Sequence, residues 1–144
     1  MYYSMFGNTE TIAKALAMGL RTGGVDADAV AVDSVKPDEV RTADLLCVGS
    51  PVHAWNISKP IKDFLAHLKS DESLKGKTAF AFDTKMKSRL AGRAGDKIER
   101  ALKAIGFLIV KSSESAIVEG REGPLEEGAE ATFKQIGLEL VKIV

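Results

Sequence analysis

Apolar residues recur along the chain in two rhythms, a helical spacing of about three to four residues and short unbroken runs. After Asn8 and Thr9, which can cap a helix, Ile12, Ala13, Leu16, Ala17 and Leu20 fall on one helical face, and Gly23-Gly24 closes it. Val30, Val32 and the neighbouring alanines predict a strand, Pro37 to Arg41 a short helix, and Asp44 to Gly49 a continuous apolar strand buried on both faces. Ile57, Ile61, Phe64, Leu65 and Leu68 mark the next helix, with Ser58 as its cap and Pro60 tolerated in its first turn. Thr78 to Phe82 reads as another buried strand. Ile98, Ala101, Leu102 and Ile105 give a helix ended by Gly106, and Phe107 to Val110 a fifth strand that resumes at Ala116 to Val118. A last helix runs from about Leu125, carried by Phe133, Ile136, Leu140 and Val141. Strands alternating with helices from end to end predict a doubly wound α/β architecture, a parallel sheet with helices on both faces.

Composition narrows the class. The chain has 144 residues, the size of one ordinary domain, so residues 1–144 are read as a single unit without repeat or linker. No segment approaches the roughly 18 to 20 continuous apolar residues of a membrane helix. With 20 basic and 20 acidic side chains the formal charge is zero, which argues against a nucleic-acid surface. Cys47 is the one cysteine and lies in an apolar run, so it reads as core and the cytoplasm as the default address. Two histidines and one cysteine form no metal cluster at recognisable spacing, and no nucleophile elbow is present, so neither a metal nor a catalytic residue is assigned.

In a doubly wound sheet the ligand sits at the carboxyl ends of the strands. Three loops lie there: Ser4 to Thr9, Ser50 to Ser58 and Asp83 to Gly95. The first passes straight into a helix, whose initial amides have no intrahelical partner and carry the positive end of the dipole, a ready anion site. Gly7 allows close approach of the backbone, and Ser4, Asn8 and Thr9 add neutral donors, while the loop holds no lysine or arginine. It also lacks the Gly-Lys-Ser/Thr ending of a triphosphate loop, so a phosphate monoester is the better ligand.

The string YYSMFGNTET resembles the phosphate loop of the flavodoxin-like family, in the branch of flavodoxins and flavin-dependent quinone reductases that bind FMN. GSPVHAWNISKPIKDFL resembles the Gly-Ser/Thr-Pro loop that passes one face of the flavin ring in that family. The resemblance covers nearly the whole chain and implies a five-stranded parallel sheet of order 2-1-3-4-5. It implies FMN held by Ser4, Met5, Phe6, Gly7, Asn8 and Thr9 at the phosphate, and by Pro51, Val52, His53, Ala54, Trp55 and Asn56 as a ring wall. Asp83, Thr84, Lys85 and Met86 stand where the third loop meets the cofactor. Trp55, the chain's single tryptophan, is the candidate for stacking. Phe6 replaces a hydroxyl residue common in the family. The third loop has no aromatic before its helix and carries Lys85, Lys87, Arg89 and Arg93 instead, suited to an anionic reduced flavin or a negative substrate or partner.

The resemblance further implies a first strand of about five residues, for which only Met1 to Tyr3 stand, so the numbered chain is expected to start late. An in-frame apolar stretch upstream of Met1 supports that expectation, and a stop codon there ends it. The leading function is an FMN-binding electron-transfer protein that works with a redox partner protein. The alternatives are an NAD(P)H-dependent quinone or flavin reductase and a flavin-free α/β scaffold. Monomer and homo-oligomer both remain open.

Overall fold

The computed structural model describes residues 1–144, the side chain of Arg89 excepted. Helix α1 spans Asn8–Thr22 and buries the predicted stripe of Ile12, Ala13, Leu16, Ala17 and Leu20. Its cap differs from expectation: Gly7, with φ 91°, is the N-cap, and neither Asn8 nor Thr9 caps with its side chain. Ser4 does that work, its Oγ accepting the amides of Gly7 at 3.1 Å and Glu10 at 3.2 Å. A glycine is required because its φ lies in the left-handed region.

Helix α2 (Pro37–Thr42), strand β1 (Leu45–His53), strand β2 (Asn56–Ile57), helix α3 (Lys59–Leu68), strand β3 (Thr78–Met86) and helix α4 (Gly95–Ile105) follow. Strands β4 (Leu108–Ile109) and β5 (Glu114–Val118) and helix α5 (Ala129–Val141) complete the chain. β1 and β3 pair in parallel from Leu45↔Thr78 to Pro51↔Thr84. β4 and β5 both pair in parallel with β3, so the interrupted fifth strand predicted from the sequence is one sheet edge broken at residues 110–113. β2 folds back antiparallel on β1. No helix among the described residues is long and apolar enough to cross a membrane.

Four boundaries move. The predicted strand at Val30 and Val32 contracts to a single bridge at Ala31, and Val32–Ser34 turn into a 3-10 helix. Its neighbour is Tyr2, which bridges Ala31 on one side and Gly49 on the other, with Tyr2 N donating to Val30 O at 3.1 Å and Val32 N to Tyr2 O at 2.7 Å. A strand extends only as far as its partner offers ladder groups. β1 and β3 run on to His53 and Met86, past the predicted ends at Gly49 and Phe82: they pair with each other as far as Pro51 and Thr84, after which β2 supplies the ladder groups for Val52 and His53 and β5 those for Lys85 and Met86. The last helix starts at Ala129 rather than Leu125, since Leu125 bridges Val118.

Alternation along β3 divides the core. Ala79 and Ala81 join Val48, Ile61, Leu65, Ile98 and Leu102 on one face of the sheet. Phe80 and Phe82 join Ile12, Leu16, Phe133 and Leu140 on the other. The rings of Phe82 and Phe133 lie 5.7 Å apart, and a Cβ on Gly49 would meet the Phe82 ring at 2.2 Å, so the glycine is the notch that admits the ring.

Tyr2 ties this layer to α1 by donating its hydroxyl to Glu10 Oε1 at 2.8 Å. Burial, reinforced by that bond to the carboxylate, pushes the Tyr2 phenol up to about 12. The neutral phenol is therefore favoured more strongly in the folded than in the unfolded chain. Its contribution to stability is complete below the unfolded value of about 10 and is lost as pH rises towards about 12. The urea midpoint of the wild-type protein is expected to fall across that window, and that of Tyr2→Phe to fall less; parallel curves would refute the assignment.

Candidate functional site

Ser4 has two acceptor lone pairs, and both are taken by amides, so its own O–H is left to donate outward. Thr11 N makes the first intrahelical bond, to Gly7 O at 3.0 Å. Between the amides that Ser4 holds stand those of Asn8 and Thr9, which the helix leaves without a carbonyl. Thr9 Oγ1 and Thr84 Oγ1 lie 2.7 Å apart in the interior, and two hydroxyls sharing one hydrogen bond retain one proton to give. The first loop and the tip of β3 thus present neutral donors together.

The second loop is mostly strand. β1 reaches His53, and Ala54 (φ 47°) and Trp55 (φ 64°) form a two-residue reversal into β2, the left-handed pair that tight hairpins require. Ser58 N donates to Ser50 Oγ at 2.9 Å, and Ser50 Oγ donates to Pro51 O at 2.7 Å, pinning both feet of the hairpin. His53 meets the Tyr3 ring edge to face at 6.1 Å.

These elements enclose a cleft of about 430 Å3. Ser4, Met5, Phe6, Asn8 and Thr9 form one end, Pro51, Val52, His53 and Ala54 one side, and Thr84, Lys85 and Met86 the other. Val118 and Arg121 also line it. Lys85 and Arg121 bring positive charge to the wall, and no carboxylate lines it.

Four residues expected at the cofactor do not line the cleft. Gly7 is the helix cap behind the loop. Asn56 turns its Oδ1 back to the Ile57 amide at 2.8 Å. Trp55, 60% exposed, lies against the third loop, where a Cβ on Gly92 would meet its Cδ1 at 2.5 Å. Its indole N–H donates to Leu90 O, and Lys97 Nζ donates to Trp55 O at 2.7 Å. Asp83 points elsewhere: it is fully buried, and its Oδ2 accepts the amides of Ala94 at 3.0 Å and Gly95 at 2.8 Å. Strand alternation turns it away from Thr84, and a carboxylate is the natural partner for the amides that open α4.

Of the basic third loop, Lys85 reaches the cleft, whereas Arg93 donates to Ser113 O and Oγ at 3.1 Å each. The Arg89 side chain lies outside the described residues. Arg121 was missed by sequence reasoning, although the VEGREGP string that holds it is rich in glycine and charge. Nothing local in that string states that it returns to the first loop.

A cleft at the strand tips, between the amides of a helix N-terminus and a hairpin wall, defines a binder of a phosphate-bearing cofactor on a doubly wound sheet. The flavodoxin family model matches residues 1–136, and the chain belongs to the flavodoxin family. A putative diflavin flavoprotein A 6 from Nostoc sp. is 31% identical over 111 residues, 74% of this chain and 19% of the relative. A second from that organism, putative diflavin flavoprotein A 5, is 36% identical over 69 residues, 45% of this chain and 12% of the relative. The chain spans about a fifth or less of the length of these curated relatives. Among solved structures, oxidised flavodoxin 1 from Bacillus cereus superposes with a TM-score of 0.84 at 23% identity, covering 99% of this chain and 95% of that one. The flavodiiron protein of Giardia intestinalis gives 0.81 at 21% identity, covering 98% of this chain and 34% of that one. These likenesses extend over nearly the whole chain and establish the fold.

Membership of that family, with flavoprotein relatives, makes FMN the cofactor of this domain. The residues present fit that cofactor. The Asn8 and Thr9 amides and the spare protons of Ser4 and the Thr9–Thr84 pair suit a phosphate monoester, and the cleft is within the size range of small-molecule sites.

Proposed function

We propose that the FMN phosphate sits on Ser4, Asn8 and Thr9, and that the ring lies between Pro51–Ala54 and Thr84–Met86. The observation that carries this reading is the spacing of donors: Ser4 withdraws the amides of Gly7 and Glu10 and leaves those between them for an anion. Stacking by Trp55 then requires its indole to leave Leu90 and Gly92 and turn towards the cleft.

FMN, when bound, supplies one- and two-electron transfer, and the chain contributes binding, orientation and electrostatics. Lys85 and Arg121, unopposed by a carboxylate in the cleft wall, favour negative charge there and so support a raised reduction potential. The likeness to parts of diflavin and flavodiiron proteins supports an electron path to a second redox centre, carried by a partner protein. A cytoplasmic setting agrees with the single cysteine, Cys47, a half-buried thiol that desolvation pushes up to about 11. One observation favours an NAD(P)H-dependent quinone or flavin reductase instead: cationic Lys85 at the cleft and Lys87 just beyond it could receive a pyridine nucleotide.

Titration of the purified protein into FMN, followed by flavin fluorescence, tests the site. Saturable one-to-one quenching is the expected result, and absence of quenching overturns it. Oxidation of NAD(P)H by the loaded protein without a partner would move the assignment to the reductase.

A further inference from the structure

The loop at residues 119–124 enters the reading above only through the charge of Arg121, yet the fold fastens it to the phosphate end of the cleft. Its ends are tied by Glu119 N to Pro124 O at 2.9 Å and Glu126 N to Ile117 O at 2.8 Å. Its tip is closed by Gly123 N to Gly120 O at 3.1 Å, which puts Arg121 at the first corner of a tight turn. That turn is stitched to the first loop: Asn8 Nδ2 donates to Glu122 O at 3.1 Å, across a sequence separation of 114. At Gly123, where φ is +114°, a Cβ would stand 3.0 Å from Asn8 Oδ1, so the approach is as close as a glycine permits. Arg121 consequently lines the cleft beside Ser4, Asn8 and Thr9.

The first loop has no charged side chain before Glu10, and Glu10 is engaged by Tyr2 and Lys14. A phosphate monoester carries about −1.5 to −2 at neutral pH. Among the described residues no ion pair occupies Arg121, and its neighbours Glu119 and Glu122 lie outside the cleft wall. A guanidinium presents a planar fork matched to phosphate oxygens, which a single ammonium does not.

We propose that Arg121 supplies the fixed positive charge of the cofactor's phosphate site, facing the neutral amides and hydroxyls of the first loop across the anion. The inference rests on the FMN reading and deepens it. Arg121 thereby discriminates FMN from riboflavin, which has the same ring and no phosphate.

The test is the ratio of FMN to riboflavin affinity, measured by fluorescence for the wild-type protein, Arg121→Gln and Arg121→Lys. Arg121→Gln is expected to weaken FMN about tenfold while riboflavin stays within about twofold, with Arg121→Lys intermediate. Raising the salt narrows the difference between wild type and Arg121→Gln, because the lost contribution is a charge. A parallel loss for both flavins overturns the proposal in favour of a ring contact or a structural role, and circular dichroism identifies a folding defect. An unchanged ratio overturns it in favour of a solvated arginine. Wild-type protein that binds neither flavin removes the cofactor site itself, an outcome distinct from wild type preferring FMN while Arg121→Gln prefers it equally.

Discussion

Gly137→Ala is expected to lower stability by about 2 to 3 kcal/mol, and Gly137→Leu to prevent folding. Helices α1 and α5 meet where Gly19 faces Gly137. A Cβ on Gly137 would stand 2.4 Å from Leu16 O, 2.8 Å from Leu20 N and 2.9 Å from Gly19 Cα. All three are backbone atoms of a helix and cannot rotate aside. On the partner helix a Cβ on Gly19 would come within 2.0 Å of Lys134 O, so the crossing is equally tight from both sides. Alanine gains about 1 kcal/mol of helix propensity over glycine, which offsets only part of the overlap. The remainder is relieved by forcing the helices apart, opening the cluster of Ile12, Leu16, Phe133 and Leu140. Urea titration followed by circular dichroism measures the change. A midpoint at or above that of wild type would mean that the two helices are not in contact here.

Ser4→Asp is expected to cut FMN affinity about 100-fold while sparing riboflavin. Aspartate is as good a helix-start acceptor as serine, so the amides of Gly7 and Glu10 keep a partner and the loop keeps its shape. What changes is charge. A carboxylate about 6 Å from a phosphate dianion at an effective dielectric of about 40 costs roughly 3 kcal/mol, which corresponds to two orders of magnitude in affinity. Ser4→Asn accepts the same amides without the charge, and its loss is expected to stay near tenfold. Equal losses for FMN and riboflavin with Ser4→Asp would place the phosphate elsewhere.

The helices were legible because their hydrogen bonds are local. Ile12 to Leu20 announce α1 by spacing alone, and Ile98 to Ile105 announce α4. The strands were legible as apolar runs but not in length. β1 and β3 continue through Ser50–His53 and Asp83–Met86, stretches that read as loop, because they share a ladder as far as Pro51 and Thr84 and then pair with β2 and β5 respectively. The same rule shortens the predicted strand at Val30 and Val32, whose neighbour offers Tyr2 alone.

At the site, the order of motifs pointed to the first loop, the hairpin and the tip of β3, and the fold gathers twelve of the residues expected there around one cleft. Which side chain faces the cleft was not written locally. Asp83 and Thr84 are adjacent, yet the first caps α4 and the second joins Thr9 across the sheet. Trp55 and Ala54 are adjacent, yet only Ala54 lines the wall.

From residue types and spacing alone came the alternation of helix and strand, the parallel sheet covered on two faces, and the anion-binding character of a chain that turns at Gly7 into a helix. These follow from interactions between residues a few positions apart. The tertiary structure alone decided that Ser4 spares the Asn8 and Thr9 amides, that Asp83 turns to the start of α4, and that Arg121 lines the cleft. Each depends on distant segments meeting, as Asn8 meets Glu122, and contacts across that separation exist only once both layers of the core have closed on the sheet.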